Sequence, residues 1–401
     1  MPQRRRLLFV DDDTPILRAL ERMMRSYRTE WECHFADDPI KALDDVGRLA
    51  PDAVITDMLM PGIDGAELLA EVVHRQPLSA RFILSGEVGE GSLVRMARGA
   101  HQCLAKPCRG DVLRSVLQQA LLNPDDFTTP AVMQGLLRLS RLPVAAPHFE
   151  ALRRTMAQPA SDARDDHAIA LIESSGGIAA KVLQIATWAR LGLGSPPTDA
   201  YDAYFQLGPD AVCALLESDL LLPVPPQETT PLQRDGWLRA ERAARVAGAI
   251  GHAEGLSADE TRRATLVALW TASGSLLLDA ACRDDYARLA RPGRGPGETS
   301  AAEREAFGLS AGAMLSRMLR LWGLSPILAG PVERSDAAGG LPVDAALSHR
   351  IAFAAPFLVD NPDGGPLPAD VMAWLAPLDL GGRLDTWRRA AGRVLEPPAA
   401  A

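Results

Sequence analysis

The sequence has few of the features that mark secreted, zinc-binding or membrane-spanning proteins. Its five cysteines form no CxxC pair and lack the histidine spacing of a zinc site, so neither a disulfide framework nor structural zinc is predicted. No apolar run approaches the ~20 residues of a membrane span, and residues 1–6 lead directly into a strand pattern rather than a signal peptide. We expect a cytoplasmic protein that does not bind a membrane, with most cysteines packed as small hydrophobes.

An excess of positive charge is also missing. Residues 1–122 contain 16 Lys and Arg against 18 Asp and Glu, and residues 123–401 contain 26 against 33. A nucleic-acid-binding protein needs a basic face to neutralise phosphates, and no helix-turn-helix with such a face is recognisable. The basic run at residues 4–6 is expected to be a solvated lead-in to a strand. DNA binding, and with it the transcription-factor class, is disfavoured.

The chain is long enough for two or three domains, since 401 residues with 47% hydrophobic content can fill several cores. Residues 1–122 alternate strand and helix patterns five times, which is typical of a doubly wound α/β domain with a parallel sheet. The predicted strands are residues 7–10, 31–35, 52–57, 81–85 and 102–105. The predicted helices are residues 14–27, 38–49, 66–76, 92–98 and 109–122.

Carboxylates follow two of these strands at the point where each strand ends. Asp11 and Asp12 follow the first strand, and Asp57 ends the third. Ligands bind at the carboxyl ends of parallel strands, so the three side chains are expected to share one edge of the sheet. Clustered carboxylates repel one another unless a divalent cation neutralises them, and an oxygen-only site suits Mg²⁺. The sequence therefore predicts a magnesium ion and a phosphate at this edge.

Four motifs in order make residues 5–122 similar to a known family, the receiver domains of two-component response regulators. The motifs are Val10-Asp11-Asp12, Thr56-Asp57-Met58-Leu59-Met60-Pro61-Gly62, Leu84-Ser85-Gly86 and Leu104-Ala105-Lys106-Pro107. The resemblance implies a CheY-like receiver that a sensor histidine kinase phosphorylates on one aspartate.

The resemblance also implies a role for each matching residue. Asp57 would accept the phosphoryl group, and Mg²⁺ would be held by Asp11, Asp12, Asp57 and the Leu59 carbonyl. Ser85 would hydrogen-bond the phosphoryl group and Lys106 would pair with it, with a cis peptide bond before Pro107.

Lysine and an expected aromatic residue are informative at two receiver positions. Only three of the 42 basic residues are lysines, so a lysine at position 106 is a specific match rather than a common residue. Many receivers carry Tyr or Phe where this chain has Cys103, which puts an aromatic switch in doubt. We expect Cys103 to pack, because a reactive thiol needs exposure and nearby cations.

The composition changes after residue 122. Asn123-Pro124-Asp125-Asp126 breaks the last receiver helix, and residues 123–130 are predicted to be a linker. From residue 131 to residue 401 apolar residues recur at helical spacing and no clean strand alternation is found. The predicted organisation is a receiver domain over residues 1–122 and an all-helical output domain over residues 131–401.

The helical region resembles the HDOD family, a relative of the HD and HD-GYP phosphohydrolases. The matching stretches are Leu142-Pro143, residues 169–173 and 178–186, Gln206-Leu207-Gly208, Trp237, Ala244, residues 305–308, Leu315 and Trp322. An HD enzyme needs a His-Asp pair that holds a metal, but Thr271 and Ala272 occupy those places here. The histidines of the region, at positions 148, 167, 252 and 349, are dispersed, and we expect His252 to be a surface or capping residue.

These patterns favour a response regulator in which phosphorylation of Asp57 controls a non-enzymatic helical interaction module. The mechanism implied is a shift of the receiver's face formed by its last two helices and last strand. The expected partners are a sensor histidine kinase and a protein target of the HDOD domain. A cyclic-dinucleotide signalling enzyme is one candidate target, and a homodimer stays open. The alternative is a phosphodiesterase of the HD class acting on a cyclic dinucleotide.

Overall fold

The computed structural model contains a parallel sheet with its helices, followed by a long series of helices. It describes residues 4–86, 90–189, 195–289, 296–334, 346–361 and 383–395, with residues 365, 367, 371, 372 and 375. The predicted helical region 131–401 therefore includes stretches that lie outside the described residues.

Five strands form one sheet in the order β2-β1-β3-β4-β5, with every neighbouring pair parallel. The strands are β1 (Arg5–Val10), β2 (Trp31–Ala36), β3 (Ala53–Asp57), β4 (Ala80–Ser85) and β5 (Gln102–Ala105). The helices between and after them are α1 (Thr14–Met24), α2 (Pro39–Leu49), α3 (Gly65–Arg75), α4 (Glu90–Gly99) and α5 (Gly110–Ala120). The predicted doubly wound α/β fold is confirmed.

Local sequence accounts for where these elements begin. The central strands β1, β3 and β4 are nearly continuous buried runs, as expected for strands covered on both faces. Aspartates cap three of the helices: Asp13 accepts from the Ile16 amide, Asp38 from the Ile40 amide, and Asp64 forms a capping box with Glu67. The first helix ends at Met24, short of the predicted residue 27, because Arg25–Tyr27 tightens into a 3-10 turn.

The contacts divide the chain into two units. One contains residues 1–140, 184–196 and 318–324, and the other contains residues 141–183, 197–317 and 325–401. Helix α6 (Pro130–Arg138) therefore groups with the sheet. The predicted boundaries at residues 122 and 131 remain predictions beside this grouping of contacts.

The elements described after α6 are helical apart from one isolated bridge between Ala145 and Val224. They are α7 (Ala146–Met156), α8 (Asp162–Glu173), α9 (Gly176–Ala189), α10 (Ala200–Leu207), α11 (Pro209–Glu217), α12 (Pro231–Ala253), α13 (Ala258–Thr271), α14 (Gly274–Ala281), α15 (Arg283–Leu289), α16 (Pro296–Phe307), α17 (Ala311–Leu321), α18 (Pro326–Arg334), α19 (Leu347–Asp360) and α20 (Arg383–Leu395). The predicted all-α class of this region is confirmed.

Helix α12 is the centre of the second unit, and it packs against α13, α19 and α20. Small buried residues such as Ala243, Ala247 and Gly251 line it, and a Cβ at Gly251 would lie 3.0 Å from Thr261 Oγ1 on α13. Small side chains at these positions let the two helices approach closely. Trp270 of α13 is fully buried, and its indole N–H donates to the Gly176 carbonyl at 3.1 Å.

One stretch of this unit, Ala258–Ala281, is long and apolar enough to cross a membrane by length and composition. The sequence analysis had counted no such run. Of its most apolar window 72% is buried inside the helical unit, which is how a core helix packs. This stretch therefore reads as a core helix pair.

Substitution of Trp270 by Phe should destabilise the helical unit by about 1–3 kcal/mol, because the Gly176 carbonyl loses its donor and a small void is left. Urea unfolding followed by far-UV circular dichroism measures this loss. Ile327→Ala is the matched control, since Ile327 is 52% exposed and surface changes of this kind cost under about 0.5 kcal/mol. Equal midpoints for the two variants would contradict the assignment.

Candidate functional site

The polar residues predicted at the strand ends meet at one edge of the sheet. Asp11 directly follows β1, Asp57 ends β3, Ser85 ends β4 and Lys106 directly follows β5. The parallel register pairs Val10 with Thr56, Asp57 with Leu84, and Ser85 with Ala105, which levels these ends with one another. Residues far apart in the chain thereby converge because parallel strands end together.

Lys106 joins the two carboxylates of this edge. Its Nζ donates to Asp11 Oδ2 at 2.6 Å and also to Asp57 Oδ1. The side chains of Lys106, Asp11 and Asp57 are 19%, 3% and 14% exposed. Ion pairs this sheltered are screened far less by solvent than exposed surface pairs. The ammonium is therefore a fixed positive charge between two oxygen ligands.

Burial and charge act in opposite directions on this triad. Burial by itself lowers the pKa of Lys106, but the hydrogen bonds and charges of Asp11 and Asp57 outweigh it, so the pKa is raised. Burial raises the pKa of Asp11, and the hydrogen bonds from Lys106 and the Asp13 amide oppose that rise. Lys106 thus stays protonated at neutral pH, whereas Asp11 depends on a nearby cation to remain ionised.

The Asp57 carboxylate is held from two sides. Oδ1 faces Lys106, and Oδ2 accepts the Leu59 backbone N–H at 2.7 Å. The Leu59 side chain is 75% exposed, so this part of the site opens to solvent. The carboxylate is consequently oriented yet reachable, as an attacking nucleophile must be.

A glycine that the sequence analysis passed over fixes the backbone behind Asp57. A Cβ on Gly65 would lie 2.1 Å from the Asp57 carbonyl oxygen, and the Gly65 N–H donates to the Met58 carbonyl at 3.0 Å. Only glycine lets the start of α3 approach the end of β3 this closely. The turn signal at residues 60–65 indicated a loop there but gave no reason for glycine at this position.

Ser85 and Lys106 are joined through the backbone. The Lys106 N–H donates to the Ser85 carbonyl at 2.7 Å, and the Lys106–Pro107 peptide bond is cis. Ser85 is 4% exposed. The structure thus brings Ser85 to the same edge as Asp57, while the roles of these residues toward a phosphoryl group remain predictions.

A magnesium ion fits the donor atoms of this edge. Asp11 and Asp57 already converge on one cation, the Lys106 ammonium, and both offer the hard oxygen donors that Mg²⁺ prefers. Asp12, the third predicted ligand, is exposed beside them. Within the part of the chain that the structure describes, no three His, Cys, Asp or Glu side chains are grouped as a ready metal site. A bound ion would therefore draw Asp12 and the Leu59 carbonyl toward the pair.

The degenerate HD position lies at the end of a buried helix. Thr271 is the last residue of α13 and Ala272 is its C-cap, so neither an imidazole nor a carboxylate stands there. His148 lies 3.6 Å from Glu241, and His167 is exposed. The His252 ring lies 2.7 Å from the Gly248 carbonyl on the surface of α12, as a surface residue. These side chains are separate from Thr271 in their contacts.

Two family models match the chain. A response regulator receiver domain matches residues 7–118, and an HDOD domain matches residues 142–338. The chain is 27% identical over 117 residues to the chemotaxis protein CheY of Listeria monocytogenes, covering 29% of this chain and 97% of that protein. It is 34% identical over 108 residues to protein-glutamate methylesterase/protein-glutamine glutaminase 1 of Anaeromyxobacter dehalogenans, covering 26% of this chain.

The chain spans only 30% of the length of that methylesterase. The solved MmoQ response regulator of Methylococcus capsulatus is similar over 64% of this chain and 98% of that one, with 18% identity and a TM-score of 0.49. The receiver match covers the sheet and its strand-end residues, and the HDOD match covers most of the helical region. The chain is therefore a fusion of a response regulator receiver domain with an HDOD domain.

Proposed function

We propose that a sensor histidine kinase phosphorylates this response regulator on Asp57 in a Mg²⁺-dependent reaction, and that the phosphorylated receiver controls the HDOD domain. The observation that carries this proposal is the convergence of Asp11 and Asp57 on Lys106 at the open edge of the sheet. A single positive charge between two carboxylates is the arrangement that a transferred phosphoryl group can enter and engage.

Each residue of the edge has a part in the transfer. An Asp57 carboxylate oxygen attacks phosphorus, a P–O bond forms, and the bond to the phosphohistidine nitrogen breaks with its electron pair returning to the imidazole. Lys106 offsets the negative charge of the incoming group, and Ser85 supplies a hydroxyl for a phosphoryl oxygen. Mg²⁺, held by Asp11, Asp12, Asp57 and the Leu59 carbonyl, supplies further neutralisation of the transferring oxygens.

The full chain, incubated with a small acyl phosphate and Mg²⁺, should gain one phosphoryl group by intact mass. Asp57→Asn should abolish the gain, because an amide cannot act as the nucleophile. Asp44→Asn is the matched control, since Asp44 is an exposed aspartate of the same domain, and it should label as the original chain does. Labelling that persists in Asp57→Asn would refute the assignment.

Lys106→Ala should still accept the phosphoryl group but lose the conformational response to it. The ammonium is the cation that the structure places between Asp11 and Asp57, so its loss removes the group that reads out the phosphoryl charge. The measurement is amide hydrogen exchange over residues 102–120 with and without beryllium fluoride, a stable phosphoryl mimic. A response equal to that of the unsubstituted chain would contradict this role.

The helical region is proposed to act as a non-enzymatic interaction module in the cytoplasm. Thr271 and Ala272 at the end of α13 support this, because neither can ligate a catalytic metal as histidine and aspartate do. Its partner would be a protein, with a cyclic-dinucleotide signalling enzyme as one candidate and a homodimer as another arrangement. The competing function is hydrolysis of a cyclic dinucleotide by the HD class of phosphohydrolase.

Elemental analysis and a turnover assay separate these two functions. The full chain should contain no stoichiometric transition metal and should leave a cyclic dinucleotide intact. About one transition metal per chain together with turnover would favour the phosphohydrolase. The double substitution Thr271→His with Ala272→Asp is the matched comparison, because it restores the side chains that a metal needs at this position.

A further inference from the structure

A buried arginine lies at the end of the sheet opposite the phosphorylation edge. Arg81 is the second residue of β4 and is 1% exposed. Its Nε donates to the Gly99 carbonyl at 2.7 Å, Nη1 to the Ser79 carbonyl at 3.1 Å, and Nη2 to the Leu137 carbonyl at 3.0 Å. Burial lowers the pKa of this guanidinium to about 9, so it remains charged at neutral pH. Three carbonyl oxygens therefore hold one buried cation.

Two of these carbonyls belong to the ends of helices. Gly99 is the last residue of α4, and Leu137 lies in the last turn of α6. Carbonyls in a last helical turn lack partners within the helix and carry the negative end of its dipole. The guanidinium satisfies both ends at once, so Arg81 fastens α6 to the sheet and to α4.

His101 completes the contact with α6. The residue directly precedes β5, its Nδ1 accepts the Arg81 backbone N–H at 3.1 Å, and its Nε2 lies 3.0 Å from the Leu137 carbonyl oxygen. Because Nδ1 accepts, the proton of the neutral ring is on Nε2, which donates to that oxygen. Arg81 Nη2 lies 2.7 Å from the same Nε2. We call Arg81, His101 and the Leu137 carbonyl the latch.

The strands of the latch also end at the phosphorylation edge. Ser85 lies four residues after Arg81 on β4, and Lys106 lies five residues after His101 along β5, a span of about 13–17 Å. The His101 N–H donates to the Arg81 carbonyl at 2.8 Å at one end of this strand pair. The Lys106 N–H donates to the Ser85 carbonyl at 2.7 Å at the other. A shift along either strand at the edge therefore reaches the latch.

We propose that the latch couples phosphorylation to α6: when Ser85 and Lys106 engage a phosphoryl group on Asp57, β4 and β5 shift and the hold on the Leu137 carbonyl weakens. This inference rests on the proposed function of those three residues. A shift of a few tenths of an ångström suffices, because a hydrogen bond at 3.0 Å weakens steeply as it lengthens. Helix α6 is followed directly by the segment that the HDOD domain occupies, so its release changes how that segment is anchored.

Hydrogen exchange of residues 130–140 in the full chain tests the latch. Beryllium fluoride with Mg²⁺ should speed exchange of these amides at least ~5-fold, the lower range of a typical two-site coupling. His101→Asn should show fast exchange without the mimic, and the mimic should add little. Asparagine keeps an acceptor for the Arg81 N–H but is too short to reach the Leu137 carbonyl, whereas His101→Gln regains that reach and should restore slow exchange.

Cys103→Ala is the control for disturbing β5 itself. Cys103 is buried two residues from His101, and burial raises the pKa of its thiol, as expected for a packing residue. This variant should behave as the unsubstituted chain does. Circular dichroism checks that each variant folds, and Arg81→Lys carries the same expectation as His101→Asn if the latter does not.

Intact mass on the same samples separates the two levels of the argument. A chain that gains no phosphoryl group from an acyl phosphate would overturn the proposed function. A chain that gains it while the mimic leaves exchange over residues 130–140 unchanged would overturn the latch alone. Slow exchange in a folded His101→Asn or Arg81→Lys variant would do the same.

Discussion

The receiver half of this protein depends on one electrostatic constraint, the pairing of Lys106 with Asp11 and Asp57. A parallel sheet delivers the ends of its strands to one edge, and here that edge receives carboxylates from β1 and β3. Burial makes two adjacent like charges costly, and the single ammonium from the end of β5 offsets them. The register of the sheet is what brings the three groups within hydrogen-bonding distance.

The same rule, that a buried polar group needs a partner, also governs the opposite end of the sheet and the helical region. Arg81 is tolerated inside β4 because carbonyls of two helix ends surround it. The Trp270 indole is tolerated in the core of α13 because the Gly176 carbonyl accepts its proton. Each of these groups links segments that are distant in sequence, so satisfying the polar group also fixes the packing.

The helical half differs in that its chemistry has been removed from the place where its relatives would carry it. Thr271 and Ala272 lie at the end of a buried helix, and the helix retains its packing through Trp270 and the small residues of α12. A scaffold that keeps its core without its metal ligands can still present surfaces to a partner, and this is the physical basis for assigning it an interaction role.

The sequence by itself determined the fold classes, the ends of the strands and the identity of the residues at the open edge, because these follow from local periodicity and short motifs. It also indicated that Cys103 would pack, which its burial supports. It treated Asp11 and Asp12 alike, whereas successive side chains point in opposite directions, so Asp11 is buried and Asp12 is exposed.

Only the tertiary structure decided the contacts that join distant segments. Gly65 must be glycine because of its approach to the Asp57 carbonyl, and the pairing of Lys106 with Asp11 spans 95 residues. Arg81 looked like any strand residue until Leu137, 56 residues later, proved to supply its acceptor. Local patterns cannot encode such pairs, because the partner of a buried polar group is set by which segments the fold brings together.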